Sequence, residues 1–239
     1  MISHFSPYDI VAEEYYEPTL HPTCANFREL GIKFISGLGS TDIFEHGDEN
    51  GTFVETGAGK STVLEALPDL HKFHEQLVLQ DDSERMLRHS LKWQNSVKDL
   101  LVCDARRMPF GDKTIQGTFS FLADPYNDEQ LWNEVARITA PGGFWLTTLP
   151  SHTWAKKFRS KMSLKKSRFV TRTGDQVDLP SHTYPPSRVI GALERKGFTL
   201  VRFASMALED LSGPISIKLE GRGGDTSVID CYLFKKQIP

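Results

Sequence analysis

Thr52-Phe53-Val54-Glu55-Thr56-Gly57-Ala58-Gly59-Lys60-Ser61-Thr62 decides the fold. Its pattern predicts a strand over 52–55, a turn over 57–59 and a short helix over 61–67 that Pro68 stops. Glycines at a strand-to-helix turn let a ligand approach the backbone, and the helix start offers free N–H groups. Outward from this turn the chain alternates. Strands are expected at 76–80, 100–103, 117–122 and 144–149, with helices over 83–97 and 129–138. Such alternation points to βαβ units and a mostly parallel sheet. Residues 187–196 read as a helix, and 199–206 with 228–235 as two strands that end the sheet in a hairpin. Ahead of the core, Tyr8, Val11, Ala12, Tyr15 and Tyr16 fall on one helical face, Asn26–Ile35 forms a second helix, and 36–51 is a loop.

Composition sets the limits. The chain has 239 residues, 39% hydrophobic and 25% charged, enough for a core without disulfides or metal. No run approaches about 18 apolar residues, so a membrane span is not expected. Net charge is −3, which excludes a polyanion binder by bulk charge but leaves room for a local basic stretch. Cys24, Cys103 and Cys231 form no CxxC pair and point to a reducing compartment. The first residues carry no basic and apolar leader pattern, so the cytoplasm is the expected location. The histidines are dispersed without metal-ligand spacing, and no metal site is expected.

The glycine turn alone leaves several readings open. A P-loop needs a leading glycine at 54, where Val54 sits inside the strand. A dinucleotide fingerprint fits Gly57 and Gly59 but meets Thr62 at its third glycine. An S-adenosylmethionine site and a ligand-free turn also fit. Downstream residues separate them. Asp81 and Asp82 follow the second strand, where a carboxylate can accept from ribose hydroxyls while Asp82 or Ser83 caps the next helix. Asp104-Ala105 follows the third strand, where an acid can accept from an adenine amine beside a small residue; an Asx turn explains it equally well.

Taken together these segments resemble a class I S-adenosylmethionine-dependent methyltransferase of the methyltransferase type 11 kind. The resemblance rests on Glu55, Gly57 and Gly59; on Asp81, Ser83, Met86 and Leu87; on Asp104, Ala105, Pro109 and Phe110; and on Glu134, Arg137, Pro141, Gly142 and Gly143. It covers 52–149 well, and Tyr8-Asp9, Ala12 and Tyr15 resemble the N-terminal helix that often closes over the cofactor. Ser61 departs from the family's third glycine, and Ile115-Gln116 from its usual Phe-Asp. The resemblance implies a Rossmann-like, doubly wound, seven-stranded, mostly parallel α/β sheet with a terminal antiparallel strand. One methyltransferase domain is expected over 1–239: a helical cap (1–35), a cofactor core (52–149), a basic lid (150–186), and a C-terminal helix and hairpin (187–239). It further implies S-adenosylmethionine as cofactor. Gly57 and Gly59 would admit its methionine part, Glu55 its amine, Asp81 the ribose, and Asp104 with Ala105 the adenine, with Asp82 nearby and Phe121 and Leu122 at the sulfonium.

The acceptor side is less determined. Ala123-Asp124-Pro125-Tyr126 ends the fourth strand and resembles the [DN]-P-P-[YFW] element of enzymes that methylate nucleobase amines, with one proline missing. Asp124 and Tyr126 are therefore the candidate catalytic residues, against a plain capped loop. Lys156, Lys157, Arg159, Lys161, Lys165, Lys166, Arg168 and Arg172 form a basic stretch, a solvated surface or a lid for an anionic or nucleic-acid acceptor. A small molecule or nucleobase is the favoured acceptor. A non-catalytic partner-binding module of the same fold and a P-loop nucleotide binder are the alternatives.

Overall fold

The computed structural model describes residues 5–38, 51–159, 164–219 and 227–238. Helices α1 (Pro22–Ser36), α2 (Thr62–Ala66), α3 (His71–His74), α4 (Glu84–Leu87), α5 (Glu129–Ile138), α6 (His152–Phe158) and α7 (Pro186–Glu194) alternate with the strands. The main sheet uses β1 (Thr52–Thr56), β2 (Leu77–Asp81), β3 (Asp99–Val102), β4 (Ile115–Phe121), β5 (Thr139–Pro150), β8 (Phe198–Met206) and β9 (Ile229–Lys236). A separate hairpin pairs β6 (Lys166–Val170) with β7 (Gln176–Pro180).

The seven-stranded order is β3-β2-β1-β4-β5-β9-β8. Pairs from β3 through β5 are parallel, whereas β9 runs antiparallel to both β5 and β8. The last strand of the chain thus lies inside the sheet. Period-two alternation splits β9 between the two layers: Cys231 and Leu233 pack toward α1 and α2, Tyr232 and Phe234 toward α5 and α7. Strand order reverses between β1 and β4, and ligands of open α/β sheets bind at the carboxyl ends beside such a switch point.

Three expectations change. Residues 7–10 form a 3-10 turn followed by further turns, not a helix through Tyr16. Ser6 and Asp9 close a capping box there, and Tyr8 and Tyr15 pack on Phe169. The helix expected over 83–97 is α4 plus a 3-10 segment over Arg88–Trp93. Tertiary hydrogen bonds draw that segment aside: Ser90 Oγ donates to Gly59 O (2.6 Å), and the His89 ring meets Ala12 O (2.8 Å). The basic stretch is divided between α6 and the β6–β7 hairpin. Lys161, Gly221 to Gly224 and most of the 36–51 loop lie outside the described residues.

Candidate active site

Gly57 (φ +62°) and Gly59 (φ +44°) turn the chain from β1 into α2 in the left-handed region. A Cβ on Gly59 would lie 2.1 Å from the Tyr16 hydroxyl. The turn's N–H groups, expected to be free, are occupied by the protein itself. Ala58 N donates to Gln80 O (2.9 Å), Gly59 N to Asp81 Oδ2 (2.9 Å) and Lys60 N to the Tyr16 hydroxyl (2.7 Å). Ser61 N donates to Ser90 Oγ (3.0 Å), and Thr62 N to Glu55 Oε1 (2.8 Å). Ser61, standing where the family has glycine, caps α2 through Leu64 N (3.1 Å) and donates to Glu55 Oε2. Backbone phosphate cradling of the P-loop kind therefore finds no open donor over 58–62, and Lys60 Nζ is paired with Glu65 at 2.8 Å.

Glu55 is 1% exposed, and both its oxygens serve this turn. Burial raises its carboxyl to about 7, against the opposing pull of its Ser61 and Thr62 hydrogen bonds and of Arg28. Asp81 ends β2, accepts from Gly59 N and Ser83 N (both 2.9 Å), and is likewise raised by burial to about 7. Ser83, not Asp82, caps α4 through Met86 N (3.0 Å). Asp82 accepts instead from the Tyr126 hydroxyl (3.1 Å).

A cavity of about 410 Å³ opens at the switch point. Gly57, Ala58 and Asp81 line one side, Phe121, Leu122, Ala123 and Tyr126 another, and Tyr16, Arg28 and Met86 complete it. Arg28 of α1 reaches Thr62 Oγ1 (2.6 Å), Ser61 O (2.9 Å) and Glu65 (2.9 Å). Leu122 takes a left-handed φ of +54°, uncommon for a branched residue, at the point where β4 leaves the sheet. Asp104 and Ala105 stand outside this lining: Asp104 is gripped by its neighbour Arg106 at 2.9 Å, and Ala105 is buried beneath Tyr126 and Leu131.

A second cavity of about 400 Å³ shares Tyr8, Tyr15, Cys24 and Leu122 with the first. Asp124, Trp154, Phe158, Arg159 and Phe169 line it, with Arg168 and Lys218. The candidate pair is thus divided: Asp124 faces the second cavity and Tyr126 the first. Ser181 Oγ donates to Asp124 Oδ2 and accepts from Arg159 (2.9 Å). Burial lifts Asp124 to about 6, which Ser181 and Arg159 oppose. The basic stretch contributes unequally: Arg159 is buried, while Arg168 pairs with Asp178 (2.8 Å) and Arg172 with Glu17.

Several of these residues escaped the sequence reading. Arg28 had one signal, a lone cation between the core residues Phe27 and Leu30; Ser90 and Ser181 had none. Glu134 and Arg137, quoted for the resemblance, brace the loop after β3 through Met108 N (2.6 Å) and Phe110 O (2.8 Å). Among the described residues, no cluster of His, Cys, Asp and Glu suits a metal, and no helix is long and apolar enough to cross a membrane.

Residues 54–147 match the family model of a methyltransferase domain. The chain has the Rossmann-like fold of the class I methyltransferases, with their domain pattern over 54–147. A methyltransferase solved in complex with the Haloferax volcanii Trm112 methyltransferase activator is similar over 98% of this chain and 99% of its own (17% identity, TM-score 0.66). An S-adenosylmethionine-dependent methyltransferase from Clostridium acetobutylicum is similar over 97% and 99% (12% identity, TM-score 0.63). Geranyl diphosphate C-methyltransferase from Streptomyces coelicolor, solved with Mg2+, geranyl diphosphate and S-adenosyl-L-homocysteine, is similar over 94% and 85% (12% identity, TM-score 0.59). No curated protein matches this chain in sequence.

Proposed function

We propose that this chain is a methyltransferase that moves a methyl group from S-adenosylmethionine to a small-molecule acceptor. The observation that carries the reading is the pair of cavities meeting at Leu122, on the carboxyl side of the sheet's switch point. The first cavity fits the cofactor. Its volume of about 410 Å³ lies in the ligand-pocket range of roughly 300–1,000 Å³. Asp81 lines it, and each of its oxygens keeps a lone pair beyond its backbone bond for a ribose hydroxyl. Arg28 offers its remaining N–H groups to a carboxylate, and Gly57 leaves room for an extended chain. S-adenosylmethionine supplies an electrophilic methyl group on a positively charged sulfur.

The chain's residues then divide the work. Glu55 holds the glycine turn in shape, since both its oxygens are engaged there. Phe121 and Leu122 exclude water where the two cavities meet, and Asp82 fixes Tyr126 against the cofactor side. Asp104 and Ala105 would serve the adenine end once Arg106 releases the carboxylate. Asp124, made more basic by burial yet still ionised at neutral pH, takes the proton that the acceptor's nucleophilic atom loses. Placing both reactants in line supplies the larger share of the rate.

The Streptomyces neighbour with bound S-adenosyl-L-homocysteine supports the cofactor. The Haloferax neighbour, solved with a methyltransferase activator, supports a second reading: a chain that needs a protein partner before it turns over. Isothermal titration tests both. Micromolar binding of S-adenosylmethionine and S-adenosylhomocysteine, with none of ATP or GTP, is expected from the isolated chain. Binding of ATP or GTP alone would overturn the methyltransferase reading. Cofactor binding without turnover on any acceptor favours the second.

A further inference from the structure

The second cavity is walled by rings and carries a buried cation. Tyr15 stacks on Phe169 (centroids 5.9 Å apart, 29°), and Trp154 on Phe158 (5.2 Å, 9°). Arg159 is only 3% exposed. Among the described residues no carboxylate lies within ion-pair distance of it, and its guanidinium hydrogen-bonds only Ser181, through the hydroxyl (2.9 Å) and the carbonyl (3.5 Å). Asp124 is hydrogen-bonded to that hydroxyl and attracts the guanidinium through space without touching it. At the mouth, Lys218 Nζ meets a backbone carbonyl, Arg168 O (3.4 Å), while the Arg168 guanidinium is neutralised by Asp178. With Asp124 ionised, Arg159 and Lys218 leave the cavity one positive charge in excess.

A buried guanidinium with spare N–H groups and no contacting carboxylate is costly, and an anion seated against it recovers charge-assisted hydrogen bonds. Stacked rings around it favour a flat apolar body. We propose that the second cavity selects an aromatic acceptor bearing one anionic oxygen group, seated at Arg159 with its ring between the Tyr15–Phe169 and Trp154–Phe158 pairs. The proposal rests on the methyltransferase reading and names the substrate class of its acceptor site. The acceptor's nucleophilic atom then points toward Leu122, Tyr8, Tyr15 and Cys24, the residues common to both cavities. A nucleic-acid strand is disfavoured by the same features, because Arg159 is buried and Arg168 and Arg172 already hold acidic partners.

The test titrates 4-hydroxycinnamate and its neutral amide into the whole chain, with and without saturating S-adenosylhomocysteine. The carboxylate is expected to bind about tenfold or more tightly than the amide, the scale of one charged hydrogen-bonded contact. Arg159→Met removes that preference and Arg159→Lys keeps part of it, while S-adenosylhomocysteine affinity stays the same in both. Should Arg159→Met fail to fold, Lys218→Met in the folded protein is expected to cut the preference by about threefold and weaken its salt dependence. Equal binding of acid and amide, no binding of either, or preferential methylation of a neutral base in RNA or DNA overturns the proposal. Loss of S-adenosylhomocysteine binding in the unaltered protein strikes the methyltransferase reading instead, so the two failures are distinct.

Discussion

The two cavities differ in what the sheet contributes. The first sets strand ends, residues 57 and 58 after β1, Asp81 closing β2 and residues 121 to 123 where β4 leaves the sheet, against the N-terminal turns and α1, which supply Tyr8, Tyr15, Tyr16, Cys24 and Arg28. Its strand-end wall inherits the rigidity of a parallel ladder. The second takes less from the sheet, with Leu122, Asp124 and Pro150 beside β4 and β5, and more from the N-terminal turns, α6, the β6–β7 hairpin and the segment around Lys218. On the proposed function, chemistry common to many reactions sits on the ladder and discrimination between acceptors on the excursions, where sequence can change without disturbing the sheet.

If that division is right, damage should scale with depth in the ladder. Glu55→Ala is the most severe case. It strands the Ser61 hydroxyl and the Thr62 N–H in a buried turn, and we expect a loss of roughly 3 kcal/mol in urea unfolding, since each unmet buried donor costs about 1–3 kcal/mol. A loss below about 1 kcal/mol would show that the turn holds itself.

Asp81→Ala comes next. In a variant that keeps its fold by circular dichroism, affinity for S-adenosylhomocysteine should fall by about 1–3 kcal/mol. Unchanged affinity would remove Asp81 from the cofactor site.

The ladder acids should also leave a pH signature. Glu55 and Asp81 have folded values near 7, above their unfolded ones, so the folded state binds more protons in the interval. Stability of the ligand-free protein is then greatest below about pH 4 on this account and declines as pH rises through 7. Asp124 adds a smaller decline ending near 6. A melting temperature that climbs between pH 5 and 7.5 contradicts the burial of these carboxyls.

At the other extreme stands Arg172→Ala, which removes the guanidinium's pair with Glu17 and leaves only the backbone N–H of residue 172 on Glu14. Being an exposed pair, it should leave the melting temperature unmoved while amide exchange over 7–20 quickens. An equal rise in exchange across β1 and β4 would mean that the excursions and the ladder are one unit.

The same contrast explains what could be read from residues alone. The β1 turn was legible because glycine and proline act locally, and Asp81 because it follows an apolar run ending at a strand tip. The α5 boundaries, Glu129–Ile138, followed directly from helical periodicity. The insertion of β9 between β5 and β8 had no local sign: the residues suggest a closing hairpin and the resemblance a terminal antiparallel strand, neither of which places it inside the sheet. The helix expected over 83–97 was cut short by contacts with residues 12 and 59, which no window of neighbouring residues contains. Asp124 was visible at the end of β4, but its partners Ser181 and Arg159 were not, because a bridge across more than twenty residues leaves no periodic trace. The occupied N–H groups of the glycine turn were hidden for the same reason: Tyr16 and Ser90 come from distant segments.

Tyr8 and Tyr15 line both cavities from a single stretch of chain, and Tyr8 is tied to Pro180 O at 3.1 Å. A common ceiling couples the traffic beneath it. A substitution at either tyrosine therefore reshapes both cavities at once, so neither can be altered there without the other registering it.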